Sequence, residues 1–552
     1  VAGAEDPGGS VLDRVDSPAD LKALSLEECA QLADELRSFV VAAVSRTGGH
    51  LGSNLGAVEL TLALHRVFDS PRDVLLFDTG HQAYVHKIVT GRREGFAQLR
   101  QAGGLSGYPN RAESPHDVIE NSHASTALSW AHGLATAFKL SGEDAERRVV
   151  AVVGDGALTG GLAYEALNNL GHAGARVLVV LNDNGRSYAP TISKLSESVT
   201  QLRLNPNYLL ARERLRRALR DLPVVGPAAY SVAHGFTAAL REIVEPHVFF
   251  EALGVRYTGP LDGHDLSALE PALRHAAAWE GPIVLHVRTT KGKGYPPAEQ
   301  DEVACLHDLK VAPPPTITAP GAGDDEGALR PPGNGAGESF TDAFTTALLA
   351  EAARDEKLVA ITAAMPGPTG LLPFKARHPE RFVDVGIAEG HAVTAAAGMA
   401  TGGLHPVVAV YATFFSRAFD QANLDVGLHG LPVVYVLDRA GVTGDDGASH
   451  HGLWDMLLSL SIPQMSVLCP STAAEVGPLL QAALAAGGPA VVRYPKTPSG
   501  PALGPTLQGL AARRLTAGDG KVVLVGIGKL AHPAKAAALA LAAEGIAVDC
   551  FD

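Results

Sequence analysis

Apolar residues in this chain fall into short, near-continuous runs that stop at Gly, Asp or Asn. RRVVAVVGDG (147–156) and RVLVVLNDNG (176–185) are two such runs, and the intervening ALTGGLAYEALNNLGHA has apolar residues at helical spacing. The order run, helix, run predicts a strand–helix–strand unit. Strands apolar on both faces predict a parallel sheet covered by helices on each side. HPVVAVYA (405–412), LPVVYVLDRAG (431–441) and MSVLCP (465–470) repeat the style, and KVVLVGIG, AKAAALALAAEG and IAVDCFD give strand, helix and strand near the end. The pattern breaks at VAPPPTITAPGAGDDEGALRPPGNGAGE (311–338), whose Pro and Gly content predicts a semi-extended linker. A softer seam is KTPSGPALGPTLQG (496–509). The expected domains are therefore 1–310, 339–495 and 510–552, all α/β with parallel or mixed sheets flanked by helices. The last is incomplete, since about forty residues rarely make a core of their own. Residues 204–235 are Arg-rich and irregular, and are expected to form an excursion or a surface helix.

Composition narrows the function classes. With 552 residues, 46% hydrophobic and 19% charged, the chain has apolar material for several cores, which excludes chain-wide disorder. A formal net charge of −14 argues against nucleic acid and anionic membranes as partners. Cys29, Cys305, Cys469 and Cys550 lie far apart, so neither a zinc site nor a disulfide framework is expected, and a reducing cytoplasm fits. The N-terminal residues lack the apolar stretch of a signal peptide, and no apolar run approaches the ~18 residues of a membrane span.

The strongest chemical signal is Gly154-Asp155-Gly156 at one predicted strand end and Asn182-Asp183-Asn184 at the next. Adjacent parallel strands would bring Asp155 and Asn184 to one carboxyl edge, where α/β sheets bind ligands. A carboxylate and an amide oxygen are hard donors suited to Mg²⁺, which fills its remaining positions with phosphate oxygens and water. A helix starting at Ala157 would aim its amino end at that anion. A lone GDG is an ordinary turn; the two motifs flanking one helix are far more specific. No GK[ST] follows, so a P-loop is excluded.

This constellation resembles the diphosphate-binding motif of thiamine-diphosphate enzymes. SRTGGHLGSNLGAVELTLALH, DTGHQAYVHKIVTGRR, GPLDGHD, KGKGYPPAE, VGIAEGHAVTAAAGMA, YATFFSRAFDQ and LDRAGVTGDDGASHHG occur in order. Together they resemble the 1-deoxy-D-xylulose-5-phosphate synthases of the transketolase superfamily, from about residue 10 to the end. The resemblance implies three transketolase-like domains and a homodimer that uses thiamine diphosphate and Mg²⁺. It implies condensation of pyruvate with D-glyceraldehyde 3-phosphate, with loss of CO₂, to 1-deoxy-D-xylulose 5-phosphate. That product feeds isoprenoid, thiamine and pyridoxal synthesis. In this family the cofactor lies between the first two domains of one chain.

Residue by residue, the resemblance implies Glu389 on the cofactor's pyrimidine nitrogen and Phe414 stacked on that ring. His81, Ser122, His123, Ala124, Gly156, Ala157, Asn184 and Tyr295 match cofactor contacts. Asp155, Asn184 and the backbone at Arg186 match the metal site, so the Arg186 side chain is expected to matter little. His50, His81 and His450 match proton-transfer or substrate positions, in keeping with an imidazole that titrates near neutrality; His451 is read as structural. Tyr411, Arg417, Arg439, Asp446 and Arg493 match the substrate-binding group, where a guanidinium fork suits phosphate oxygens; salt bridging is the bland alternative for the arginines. Two departures stand out: Val85 replaces a common Pro, and Gly390 replaces the Gln beside Glu389. The Gly390 change keeps open a related carboligase with another donor or acceptor, and the short last domain keeps open a non-catalytic paralogue.

Overall fold

The computed structural model describes residues 10–120, 122–186, 247–301, 305–309, 339–505 and 511–552. The chain forms two compact units, Val1–Lys310 and Val311–Asp552. The expected linker (311–338) and Arg-rich excursion (204–235) lie outside the described residues.

Among the described residues the first unit has five strands: β1 (Val74–Phe77), β2 (Val149–Gly154), β3 (Val177–Asp183), β4 (Arg256–Asp262) and β5 (Ile283–Arg288). They lie in the order β1-β2-β3-β5-β4, every pairing parallel. Gly154 is in register with Asn182, so the GDG and NDN turns leave the same sheet edge side by side. One expectation is corrected. Asp155–Thr159 is a 3₁₀ turn, and the long helix starts at Gly161, running to Ala173. Gly156, Gly160 and Gly161 around its start favour the tight turn over an immediate α-helix.

The helix Leu26–Thr47 shows how sequence positions a loop. Ser25 and Glu28 cap it reciprocally, and Cys29, Leu32, Leu36, Val40 and Val44 are buried along one face. Gly48 ends it at φ +79, and Gly49 follows at φ +140. This turn delivers His50.

In the second unit the described strands are β6 (Leu358–Thr362), β7 (Phe382–Asp384), β8 (His405–Tyr411), β9 (Val434–Asp438), β10 (Ser466–Leu468) and β11 (Ala490–Tyr494). The order is β10-β11-β9-β8-β6-β7, again all parallel. Alternate residues feed two cores: Ile361, Val408, Val410, Tyr435 and Val491 one, Ala360, Val407, Ala409, Val434 and Val492 the other. Burial of both faces explains why these strands read as unbroken apolar runs. A third sheet joins β12 (Arg514–Thr516), β13 (Val522–Val525) and β14 (Val548–Phe551) in the order β12-β14-β13. It is mixed, β12 running antiparallel and β13 parallel to β14, and it belongs to the second unit.

Candidate active site

In the first unit, the turns after the helix Leu26–Thr47 and after β1 bring His50 and His81 together, ring centroids 5.7 Å apart. Asn54 braces both: its Nδ2 donates to His50 O at 2.7 Å and to His81 O at 2.8 Å, while its Oδ1 accepts from Tyr84 N. A third imidazole, His307, which the sequence reading missed, lies 5.8 Å from His50 and 5.2 Å from His81. Lys291 Nζ donates to His307 Nδ1 at 2.8 Å. Lys291 lies in the quoted KGKGY motif, so its signal was present; His307 had none, being near in space only. Gly52 makes that approach possible, since a Cβ there would sit 2.0 Å from Cys305 O.

Burial holds these groups away from charge. The His81 imidazole is pushed down to about 3 by burial and by Lys291, and His307 lies well below the ordinary histidine range for the same reasons. Lys291 itself is lowered to about 8 by burial. His81 Nδ1 is buried with no hydrogen-bond partner among the described residues, a polar atom open to a ligand.

Asp155 and Asn184 stand at the ends of β2 and β3. Asn184 Oδ1 accepts from Arg186 N at 3.1 Å. Asn182 ties this edge to the His81 turn, donating to Gln82 Oε1 at 2.7 Å. Gly156 and Ala157 lie in the 3₁₀ turn, and Ser125 Oγ donates to Ala157 O at 2.7 Å. The Ser122–His123–Ala124 loop is thereby held against that turn. Asp78, buried at the end of β1, accepts from Ser125 N at 2.8 Å and Ala127 N at 3.1 Å, steadying Ser125 at φ +73. Tyr295 precedes the short helix Pro296–Glu299 and packs on the unit's main core. The Arg186 side chain points to the 305–309 segment, its Nη1 donating to Cys305 Sγ at 3.4 Å. No cluster of three or more His, Cys, Asp or Glu capable of holding a metal occurs among the described residues; Asp155 and Asn184 would rely on backbone, phosphate and water for the rest.

In the second unit Glu389 is the first residue of the helix Glu389–Thr401, buried to 4% exposure. Burial pushes its carboxyl above the usual range, and Arg417, with Nε 3.2 Å from Oε2, opposes the rise. The Ala-rich face of this helix packs closely on the sheet, which places Glu389 against the turn that follows β8. That turn, Ala412–Ala418, carries Phe414 and Arg417. Tyr411 and Phe414 stack at 5.7 Å and 7°, and His450 meets Phe414 edge-on at 5.6 Å. The Arg439 guanidinium lies 4.0 Å over the Tyr411 ring, its backbone at φ +62. The loop bearing Asp446 and His450 is pinned at its base by reciprocal Gly441–Gly452 bonds, and Thr413 Oγ1 reaches Ser449 O. Asp446 lies in the turn Gly444–Asp446, and its side chain is outside the described set. His451 Nδ1 accepts from Thr443 N at 3.1 Å, as a structural histidine would. Arg493, on β11, is held by Asp455 through Nε at 2.7 Å and Nη2 at 3.2 Å.

Comparison with known proteins first defines the class. Residues 337–500 match a family model described as the transketolase pyrimidine-binding domain, the mark of a thiamine-diphosphate enzyme of transketolase type. Residues 12–289 match the 1-deoxy-D-xylulose-5-phosphate synthase model. Curated synthases of that name include those of Mycolicibacterium paratuberculosis (51% identical, 98% of this chain and 84% of the relative), Rhodococcus jostii (52%, 98% and 82%) and Thermobifida fusca (50%, 98% and 84%). The chain belongs to the 1-deoxy-D-xylulose-5-phosphate synthase family.

Proposed function

We propose that this chain condenses pyruvate with D-glyceraldehyde 3-phosphate, releasing CO₂ and forming 1-deoxy-D-xylulose 5-phosphate, with thiamine diphosphate and Mg²⁺. The observation that carries the reading is identity of about half the residues over 98% of the chain to curated synthases. The chemistry of the two clusters fits the cofactor. Hard oxygen donors stand together at one sheet edge, and a buried carboxyl with a raised proton affinity stands in the second unit.

In this reading Asp155, Asn184 and the backbone at Arg186 hold Mg²⁺. Gly156, Ala157, His81, Ser122, His123, Ala124 and Tyr295 hold the diphosphate side. The helix at Gly161 has no side chain capping its amino end, which leaves N–H groups to face an anion. Glu389 holds or releases a proton at the pyrimidine, and Phe414 supports that ring. When bound, the cofactor supplies the electron sink for decarboxylation. His81, kept neutral by burial, contacts the substrate as a hydrogen-bonding imidazole, with His50 and His450 as the proton carriers. Arg439, Tyr411, Arg417 and Arg493 grip the aldehyde's phosphate, Arg417 and Arg493 also serving carboxylates, and Asp446 supplies an acid to the substrate from its loop.

A homodimer and a cytoplasmic location belong to the same proposal. Exposed Leu453, Trp454, Leu457 and Leu460 support a self-association surface, and no described helix is long and apolar enough to cross a membrane. The decisive experiment supplies thiamine diphosphate, Mg²⁺ and pyruvate, with and without glyceraldehyde 3-phosphate. Aldehyde-dependent CO₂ and a product of the mass of 1-deoxyxylulose 5-phosphate are expected. CO₂ without that product would mean a different acceptor, and no CO₂ would reject the synthase reading.

A further inference from the structure

The first unit contains a buried ionic network that the proposed chemistry does not use. Lys87 and Arg92, on the segment after the His81 turn, meet Glu113 and Asp117, on the long irregular stretch after Leu99. Lys87 Nζ pairs with Glu113, and Arg92 binds Asp117 through Nη1 at 2.6 Å and Nη2 at 3.0 Å. His86 Nε2 reaches Asp117 Oδ1 at 2.9 Å, and His65 stands behind His86 at 2.9 Å. The Lys87 and Asp117 side chains have no exposure.

Each carboxylate also accepts from the backbone of its own loop. Glu113 Oε1 accepts from Ser106 N and Asp117 Oδ2 from Asn110 N, both at 2.7 Å. These two bonds bracket Tyr108. Its hydroxyl is 3.4 Å from His50 Nε2, with ring centroids 5.3 Å apart. Beside it, Pro109 packs so tightly on Gly80, the neighbour of His81, that a Cβ there would lie 2.5 Å from Pro109 Cδ. At the start of the stretch, Arg100 Nη1 binds Asp308 at 2.9 Å, next to His307. One irregular segment thus touches the surroundings of all three clustered imidazoles.

We propose that Glu113 and Asp117 are positioning residues: anchored on Lys87, Arg92 and His86, they fix Ser106–Asn110 so that Tyr108 sets the His50 ring within the cluster. A loop without regular structure has no ladder of its own to hold it, so the buried Asp117 and the partly buried Glu113 supply the missing constraints. Displacement of a catalytic imidazole by about 1 Å is enough to cost one to two orders of magnitude in rate. The inference rests on the proposed role of His50 in proton transfer.

The test compares Glu113→Gln, Asp117→Asn, Tyr108→Phe and the Asp117→Asn/Tyr108→Phe double variant. In protein without cofactor, amide exchange at Ser106 and Asn110 should quicken at least about tenfold in Glu113→Gln and Asp117→Asn. In loaded enzyme, kcat should fall at least about tenfold with KM for pyruvate changed less than about threefold, and the pH profile of kcat should shift alike in Asp117→Asn and Tyr108→Phe. The double variant should be no worse than the poorer single one, since both act through one contact. Additive losses, an unshifted pH profile or unchanged exchange would overturn the proposal. Should Asp117→Asn not fold, Glu113→Gln and Tyr108→Phe carry the same comparison. An inactive wild type with the exchange result intact would remove the synthase reading while leaving the clamp standing.

Discussion

The N-terminal unit carries its clustered imidazoles on loops, whereas the C-terminal unit carries Glu389, Tyr411 and Arg439 at the ends of a helix and two strands. His50, His81 and His307 sit on irregular backbone, near Thr79, Ser125, Cys305 and Leu306, all at positive φ. Such backbone holds only where surrounding contacts over-determine it, and here Asn54, Asp78 and the Glu113/Asp117 pair supply them. Glu389, Tyr411 and Arg439 instead follow directly from a helix start and two strand ends, with Arg439 the exception in backbone strain. The electrostatics differ as well. Burial keeps the N-terminal imidazoles neutral by lowering them, and keeps the C-terminal carboxyls of Glu389, Asp384 and Asp438 protonated more readily by raising them. One desolvation effect thus acts with opposite consequence on a base and on an acid.

The sharpest way to separate the two regions is to remove one group from each. Asp155→Ala should abolish Mg²⁺-dependent cofactor binding, with affinity falling at least about 100-fold, since it removes a direct donor rather than a supporting one. Glu389→Ala should keep cofactor binding within about tenfold yet lose about 10³-fold or more in kcat, the range of a lost acid–base group. Calorimetric titration of the cofactor with and without Mg²⁺, beside steady-state rates, reads both. Unchanged binding in Asp155→Ala would sink the metal assignment, and a variant of Glu389 that still turned over would sink the pyrimidine assignment.

The same contrast explains what could be read before any coordinates. Asp155 and Asn184 are visible because apolar runs end at them, and a run's end in a parallel sheet is a place where ligands bind, whereas Glu389 and Tyr411 are read from the family resemblance. The two-faced sheets were legible for the same reason, since strands whose alternate residues enter different cores lose their polar face. His307 and Tyr108 gave no such sign. Their partners are distant along the chain, as with Arg100 and Asp308, 208 residues apart, and no periodicity encodes a pairing of that span. The start of the helix after GDG was misplaced because glycine spacing favours both a tight turn and an approach to phosphate. The contact of the Arg186 guanidinium with the Cys305 thiol went unread because the resemblance concerned its carbonyl.

A smaller effect follows from pH. His81 at about 3 and His116 at about 4, with His65, His86 and His307 also lowered, refuse protons that the unfolded chain accepts below about pH 6.5. Their contribution is complete above about pH 6.5 and is lost as pH falls toward the folded values, at up to about 1.4 kcal/mol per pH unit for each histidine that stays neutral. The raised carboxyls have the reverse sign: their contribution is present below the unfolded carboxyl range and is lost as pH rises through the folded value. Acidification from pH 7 to 5 should therefore loosen residues 10–309 more than 339–552. Limited proteolysis at the two pH values, with cuts mapped by mass, measures this, and an equal rise in both regions would break the comparison.

The smallest effect concerns the departure beside Glu389. A Cβ on Gly390 would lie 3.2 Å from Gln421 Oε1 and 3.4 Å from its Cδ, the movable end of a flexible side chain rather than backbone. Gln421 Oε1 is buried with no hydrogen-bond partner among the described residues, so it stands as an acceptor lacking a donor. Restoring the family's residue by Gly390→Gln would place an amide donor beside it and replace a glycine in the first turn of a helix. Both changes favour the folded state, by about 1 kcal/mol each at most, against the few tenths of an ångström that Gln421 must yield. A rise of a few degrees in Tm is expected, with kcat within about threefold of the starting protein. A fall in Tm would show that Gln421 is held too firmly to move. A large gain in kcat would show that Gly390 had cost the C-terminal cluster its geometry, and that this cluster, not the imidazole cluster, limits the rate.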